Sequence, residues 1–184
     1  IILASNSPRR SQLLQQAGFK FIVKARSIDE SYPAEMSPED VAPFLAEKKA
    51  AAVTDFLETA DDIILTADSV VILNDKIYEK PKDYKDAVRI LNNLSGNAHQ
   101  VITGVCLLSQ EKKKVFAGKS TVYMDPLSEE EIDFYIQQYK PYDKAGAYAI
   151  QEWIGLCKIS KIEGTYANIM GLPVDLVYQE LSAF

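Results

Sequence analysis

Apolar positions change period several times along the chain, and each change marks an element. Ile1–Ser5 reads as a short buried strand. Ser7-Pro8 then places an N-cap residue before a proline at the first helical position. Leu13, Leu14 and Ala17 form the stripe of that helix and Gly18 ends it. Phe19–Ala25 alternates like a strand, and Arg26–Met36 is polar and loop-like. Ser37-Pro38-Glu39-Asp40 opens a second helix that runs through the Ala-rich segment to Leu57, with Pro43 bending its start. Ile63–Ala67 and Val70–Leu73 are two strand-like runs; Asn74-Asp75 is a turn before the short strand Lys76–Tyr78.

Asp83 caps a helix whose face is Ala87, Ile90, Leu91 and Leu94, and Ser95-Gly96-Asn97 stops it. Gln100–Leu108 and Val115–Tyr123 predict two long strands around a lysine-rich turn at Glu111–Lys114. Ser128 with Glu131 is a capping box, followed at helical spacing by Ile132, Tyr135, Ile136 and Tyr139. Pro173 opens a last helix with Val174, Val177, Tyr178 and Leu181 as its face. Strands and helices alternate loosely, without repeats or a linker, so an α/β fold with a mixed sheet in a single domain over 1–184 is expected.

Composition narrows the function. Acidic residues outnumber basic ones, 26 against 20, for a net charge of −6. A whole-surface nucleic-acid binder would be basic, so any anion must be drawn by a local cluster of cations. No apolar run approaches the length of a membrane span. Cys106 and Cys157 are far apart in apolar, strand-like surroundings, with no CxxC, and a reducing cytoplasm is the simplest setting. His99 is the only histidine, which excludes a multi-His zinc site and reads as structural or surface.

Five places could carry chemistry. Ser5-Asn6-Ser7-Pro8-Arg9-Arg10 joins a strand to a helix start, where free N–H groups, two hydroxyls and two arginines favour a phosphate; plain helix capping explains Ser7-Pro8 equally well. Asp68 stands between two apolar runs, as a metal ligand or general base, or as a turn aspartate bonding backbone amides. Glu79-Lys80 follows a short strand, and Lys48-Lys49 lie on the second helix; each is either a site or a solvated surface pair. Asp143–Gln151 is rich in small residues, with Asp143 and Lys144 at its entrance and Gln151 at its exit; a tightly packed strand is the alternative. Hard oxygen donors (Glu30, Asp68, Glu79) with cations (Arg9, Arg10, Lys49, Lys80, Lys144) fit a polyphosphate with Mg²⁺ or Mn²⁺. No G-x-x-x-x-G-K-[ST] or G-x-G-x-x-G is present, which argues against a P-loop or Rossmann site.

As an ordered set, Leu3–Arg10, Leu45–Ala50, Ala67–Val71, Glu79-Lys80-Pro81, Leu94-Ser95-Gly96, Asp143–Gln151 and Gly171-Leu172-Pro173 resemble the Maf family of nucleoside triphosphate pyrophosphatases, over nearly the whole chain. The resemblance implies the inosine triphosphate pyrophosphatase-like fold: an elongated mixed sheet flanked by helices, with two lobes and a central cleft. It implies metal-dependent cleavage of a nucleoside triphosphate to monophosphate and pyrophosphate, and a homodimer, since family members commonly form dimers. Asp68 matches the proposed proton acceptor. Ser5, Arg10, Glu30, Lys49, Lys80, Asp143 and Lys144 match positions assigned to phosphate, metal or catalysis.

The branch acting on dTTP and UTP is the most similar, with Arg9, a small hydroxyl residue at Ser69 and Gln151 around the base. The chain departs from the family at Ser69, where threonine is usual, and at Lys48, where glutamate is usual. The rival readings are a nucleotide-binding regulator of division or septation without turnover, and a pyrophosphatase for modified purines.

Overall fold

The structure, a computed structural model, describes residues 1–184. In chain order the elements are β1 (Ile2–Leu3), α1 (Pro8–Gln16), β2 (Ile22–Val23), α2 (Pro38–Ala51), a 3₁₀ turn (Thr54–Phe56), β3 (Ile64–Leu73), β4 (Lys76–Tyr78), α3 (Tyr84–Leu94), β5 (Ala98–Leu108) and β6 (Lys113–Met124). There follow α4 (Glu129–Tyr139), a 3₁₀ turn (Ala145–Ala147), α5 (Trp153–Cys157), β7 (Ile159–Glu163), α6 (Tyr166–Met170) and α7 (Val174–Ala183). The strands form one sheet in the order β2-β1-β3-β5-β6-β7, with β4 on β3. β1 runs parallel to β2 and β3, whereas β4 on β3 and β7 on β6 are antiparallel, so the sheet is mixed as expected. No helix is long and apolar enough to cross a membrane.

The chain divides into two compact units. Ile1–Ser69, Thr103–Gly118 and Gly171–Phe184 make the first; Val70–Ile102 and Lys119–Met170 make the second. In the first unit, α2 lies against the sheet through small residues. Ala46 and Ala50 pack on Cys106, with Leu108 and Val115 beside them. The approach is closest at Gly104 in β5, where a β-carbon would stand 2.3 Å from the Ala42 carbonyl carbon and the Pro43 nitrogen. Buried Thr66 of β3 adds a hydroxyl hydrogen bond to the Ala46 carbonyl, 2.6 Å. Helix and strand are thus fixed backbone to backbone, and the side chains that α2 carries inherit that placement.

The second unit packs around a cluster of apolar side chains. α3 contributes Ala87, Ile90, Leu91 and Leu94, α4 contributes Ile132, Tyr135 and Ile136, and Val71, Leu73, Tyr78, Val122 and Tyr148 join them. Asp83 caps α3 through the Asp86 amide, and Ser128 with Glu131 forms a complete capping box on α4, both as read from the sequence. Asn74 and Asp75 have φ of +50° and +56°, the conformation of a two-residue hairpin turn joining β3 to β4.

Several expectations are corrected. The two runs Ile63–Ala67 and Val70–Leu73 are one continuous strand, β3, which passes straight through Asp68 and Ser69. β1 and β2 are only two residues each, and the exposed β2 is set by pairing rather than by burial. α2 stops at Ala51. Ala17 is exposed, and Ser7 makes no side-chain cap bond. In α7 only Val177 is buried; Tyr178 is 65% exposed and leans on Phe19. Tyr84, Tyr142 and Tyr166 are exposed as well. Cys157 lies exposed at the end of α5 rather than in an apolar strand; it and the buried Cys106 are both free thiols.

Gly104→Ala would drive a methyl group into the backbone of α2. Overpacking of this kind costs about 3 kcal/mol, so the urea midpoint of the variant is expected to fall markedly at unchanged slope. An unchanged midpoint would show that α2 is not held at this contact.

Candidate functional site

Asp68 and Ser69 interrupt a strand that is buried at every other position. A carboxylate there needs a partner. The partner is Lys49 of α2, whose Nζ lies 2.5 Å from Asp68 Oδ1 and 2.7 Å from Glu30 Oε1. The Asp68 side chain is 14% exposed and that of Lys49 17%, so the pair is largely withdrawn from water. Asp68 is not a turn aspartate bonding backbone amides: it is in mid-strand and pairs with an ammonium.

Glu30 belongs to a loop, and the neighbouring lysine holds that loop down. Lys48 Nζ donates to Asp29 Oδ2 at 3.2 Å, to the Ser31 carbonyl at 2.8 Å and to Ser31 Oγ at 3.3 Å. Asp29 in turn accepts from the Ser31 amide and hydroxyl. Lys48 and Lys49 are therefore not a solvated pair: one anchors residues 29–31, the other takes the carboxylate between them.

Arg10 is the hub beside this cluster. Its guanidinium donates to the Gly171 carbonyl (2.8 Å), the Ala67 carbonyl (2.8 Å), Ser5 Oγ (3.3 Å) and Ser69 Oγ (3.3 Å). Burial pushes its pKa below the ordinary value, and the negative charges of Asp68 and Glu30 act in the other direction. Arg10 thus has protein acceptors in place and needs no anion to satisfy its guanidinium. It ties the β1–α1 junction, β3 and the segment before α7 together. Gly171, at φ +122°, presents its carbonyl to the guanidinium in a conformation that side-chain-bearing residues rarely adopt. Ser69 Oγ is also 2.8 Å from Thr103 Oγ1. Arg9 is half-buried next to Arg10, and Ser5 Oγ accepts from the Ser7 amide at 3.2 Å. Because Ser7 itself does not cap α1, capping does not account for this segment.

The other candidate residues are in the second unit. Asp143–Gln151 is not a strand: it contains the 3₁₀ turn at Ala145–Ala147, with Gly146 at φ +73°. A β-carbon on Gly146 would stand 2.9 Å from a Val71 methyl. The Gly146 amide donates to the Glu79 carbonyl at 3.3 Å, which brings the Glu79-Lys80 turn to this loop. Lys144 is 8% exposed, its Nζ 2.8 Å from Asp143 and 3.4 Å from Glu152. Glu152 also accepts from the Tyr135 hydroxyl, which itself accepts from the Ala149 amide at 3.0 Å. Tyr135 and Glu152 were not singled out from the sequence. Tyr135 reads as one more apolar position of α4, and only the fold brings Glu152 under Lys144.

Gln151 ends this braced loop, and its Oε1 is buried with no hydrogen-bond partner. A buried acceptor left unsatisfied is costly unless a ligand supplies the donor. No group of three or more His, Cys, Asp or Glu side chains is placed to hold a metal. Of the three expected metal ligands Glu30, Asp68 and Glu79, the structure brings Glu30 and Asp68 together on one ammonium, and hard oxygen donors suit Mg²⁺ or Mn²⁺ with the rest of its shell from water and phosphate.

A family model described as Maf-like protein matches residues 1–184, and the chain belongs to that family. The dTTP/UTP pyrophosphatase of Porphyromonas gingivalis is 47% identical over 186 residues, covering 100% of this chain and 94% of its own length. The dTTP/UTP pyrophosphatase of Phocaeicola vulgatus is 47% identical over 182 residues, covering 98% and 94%. Among solved structures, the Staphylococcus aureus Ham1 protein is similar at a TM-score of 0.44 and 17% identity, over 67% of this chain and 70% of that one.

His99 stands behind the loop. It is buried, its Nε2 lies 2.7 Å from the Tyr148 hydroxyl, and its Nδ1 has no partner. Burial pushes its pKa from 6.5 down to about 4. Between those values the unfolded chain binds the proton and the folded chain does not. Stability is therefore full above pH 6.5 and falls as pH drops toward 4, by about 3 kcal/mol from this group. Denaturant titrations of the native protein and His99→Gln across this range should show a steeper acid loss for the native protein. Parallel curves would contradict the buried neutral imidazole.

Proposed function

We propose that the chain is a nucleoside triphosphate pyrophosphatase that hydrolyses dTTP and UTP to the monophosphate and pyrophosphate. The observation that carries this is full-length similarity to proteins named for that activity, and the chemistry of the Asp68 cluster supports it. The Asp68 carboxylate is held at the opening of a buried strand and takes the proton from a water molecule. The water oxygen bonds to the α-phosphorus, the bond to the α–β bridging oxygen breaks, and the electron pair leaves with pyrophosphate. Lys49 carries positive charge to the phosphate oxygens, Lys80 and Lys144 supply further cations, and Ser5 and Arg9 bind at the start of α1. Arg10 positions Ser5 and Ser69 through its hydrogen bonds.

A divalent cation, Mg²⁺ or Mn²⁺, would be held by Glu30 and Asp68 and would neutralise phosphate charge. Base choice is assigned to Arg9, Ser69 and Gln151. The unpartnered Oε1 of Gln151 suits the N3–H of uracil or thymine, and its amide N–H₂ suits a ring carbonyl. The reading places the activity in the cytoplasm and in a homodimer, with no nucleic acid or membrane as partner.

With Mg²⁺ or Mn²⁺ present, dTTP and UTP should give dTMP and UMP plus pyrophosphate, at similar rates and well ahead of purine triphosphates. Diphosphate and orthophosphate as first products would overturn the assignment, and a guanine preference would overturn the base pocket. Gln151→Glu replaces the amide donor by a second acceptor with charge. It should lower turnover of both pyrimidine nucleotides at least about tenfold; an unchanged nucleotide ranking and rate would remove Gln151 from base recognition.

A further inference from the structure

Lys49 occupies the position that a divalent cation would need. Its ammonium lies within 2.7 Å of one oxygen of Glu30 and 2.5 Å of one oxygen of Asp68. A divalent ion bound by the same two oxygens would sit at about 2.0–2.4 Å from each, in the space the ammonium fills. Both cations cannot be there together, for reasons of volume and of like charge. Lysine is suited to leaving: its charge is a compact point on a flexible four-carbon stem, unlike the fixed fork of Arg10. Around it the carboxylates are held in place, Glu30 by the Lys48-anchored loop and Asp68 by β3. Of the three charged groups, the lysine has the longest and most flexible stem.

We infer that Lys49 is a resident counter-ion that keeps free divalent cations out of the Glu30–Asp68 pair until a triphosphate draws it away. The polyphosphate offers the ammonium a stronger set of anionic oxygens. Once Lys49 moves to them, the two carboxylates are left unneutralised and accept the cation that accompanies the nucleotide. Metal and nucleotide therefore bind with positive coupling, and by linkage each raises the affinity for the other. A free-metal resting state, with the attendant risk of hydrolysing wrong phosphate esters, is avoided. This rests on the reading of Glu30 and Asp68 as the cation's ligands, and goes beyond it in giving Lys49 a role before substrate arrives.

The test is Mn²⁺ binding to nucleotide-free protein, followed by electron paramagnetic resonance of the free ion. Native protein should bind Mn²⁺ weakly. Lys49→Met, which keeps the stem and removes the charge, should bind at least tenfold more tightly, and Lys49→Gln should behave alike. Lys49→Arg, which keeps a cation in the gap, should stay as weak as native, and adding Asp68→Asn to Lys49→Met should abolish the gain. Equal or weaker Mn²⁺ binding by both Lys49→Met and Lys49→Gln, each folded by circular dichroism, would overturn the inference. Product analysis of the native protein with dTTP is read separately: pyrophosphate release with no gain of Mn²⁺ affinity refutes the counter-ion role alone. A gain of affinity without dTTP turnover refutes the proposed activity alone.

Discussion

A single ionisable group inside a buried strand sets the terms for the first unit. β3 is buried along its length except at Asp68 and Ser69. An unpaired carboxylate at such a place would cost several kcal/mol, so a cation must be brought to it. Lys49 can reach only because α2 lies very close to the sheet, and that closeness depends on Gly104, on the alanines of α2 and on the bond from Thr66 to Ala46. The same residues that pack the helix therefore aim the lysine. Fold and proposed function share this constraint: the ion pair that stabilises the buried carboxylate also sets the proposed base beside a positive charge on a flexible stem.

The second unit solves a different problem. Its loop from Asp143 to Gln151 has no regular hydrogen-bonding pattern of its own, and its backbone groups need partners. Tyr135 and Glu152 supply them and neutralise Lys144, while the Glu79 carbonyl accepts from Gly146. Within the loop itself, the buried side-chain acceptor without a hydrogen-bond partner is the Oε1 of Gln151. A braced loop that presents an unsatisfied acceptor suits the proposed recognition of a base N–H, because a glutamine free to turn would find water or a neighbour instead.

Much of this was legible in the sequence, for reasons that differ by element. The helices α3 and α4 announce themselves because local signals agree: an Asp or Ser cap, then apolar residues at helical spacing. β3 reads as two strands because Asp68-Ser69 looks like a turn, whereas β3 is one strand lying between β1 and β5 in the sheet, paired with β1 before these residues and with β4 after them. α5, β7 and α6 were not foreseen: they are five residues each, too short for a period to show, and β7 exists through its pairing with β6. The site residues stood out as a set of ordered motifs, but their grouping did not. That Lys48 and Lys49 serve different partners, or that Tyr135 braces a loop, follows from tertiary contacts that no local pattern contains.

The central claim is that Asp68 directs water to the α-phosphorus of a pyrimidine triphosphate. Hydrolysis of dTTP in oxygen-18-labelled water, with mass spectrometry of both products, tests it most directly. The account predicts one labelled oxygen in dTMP and none in pyrophosphate. Label in the pyrophosphate would place the attack on the β-phosphorus and contradict it.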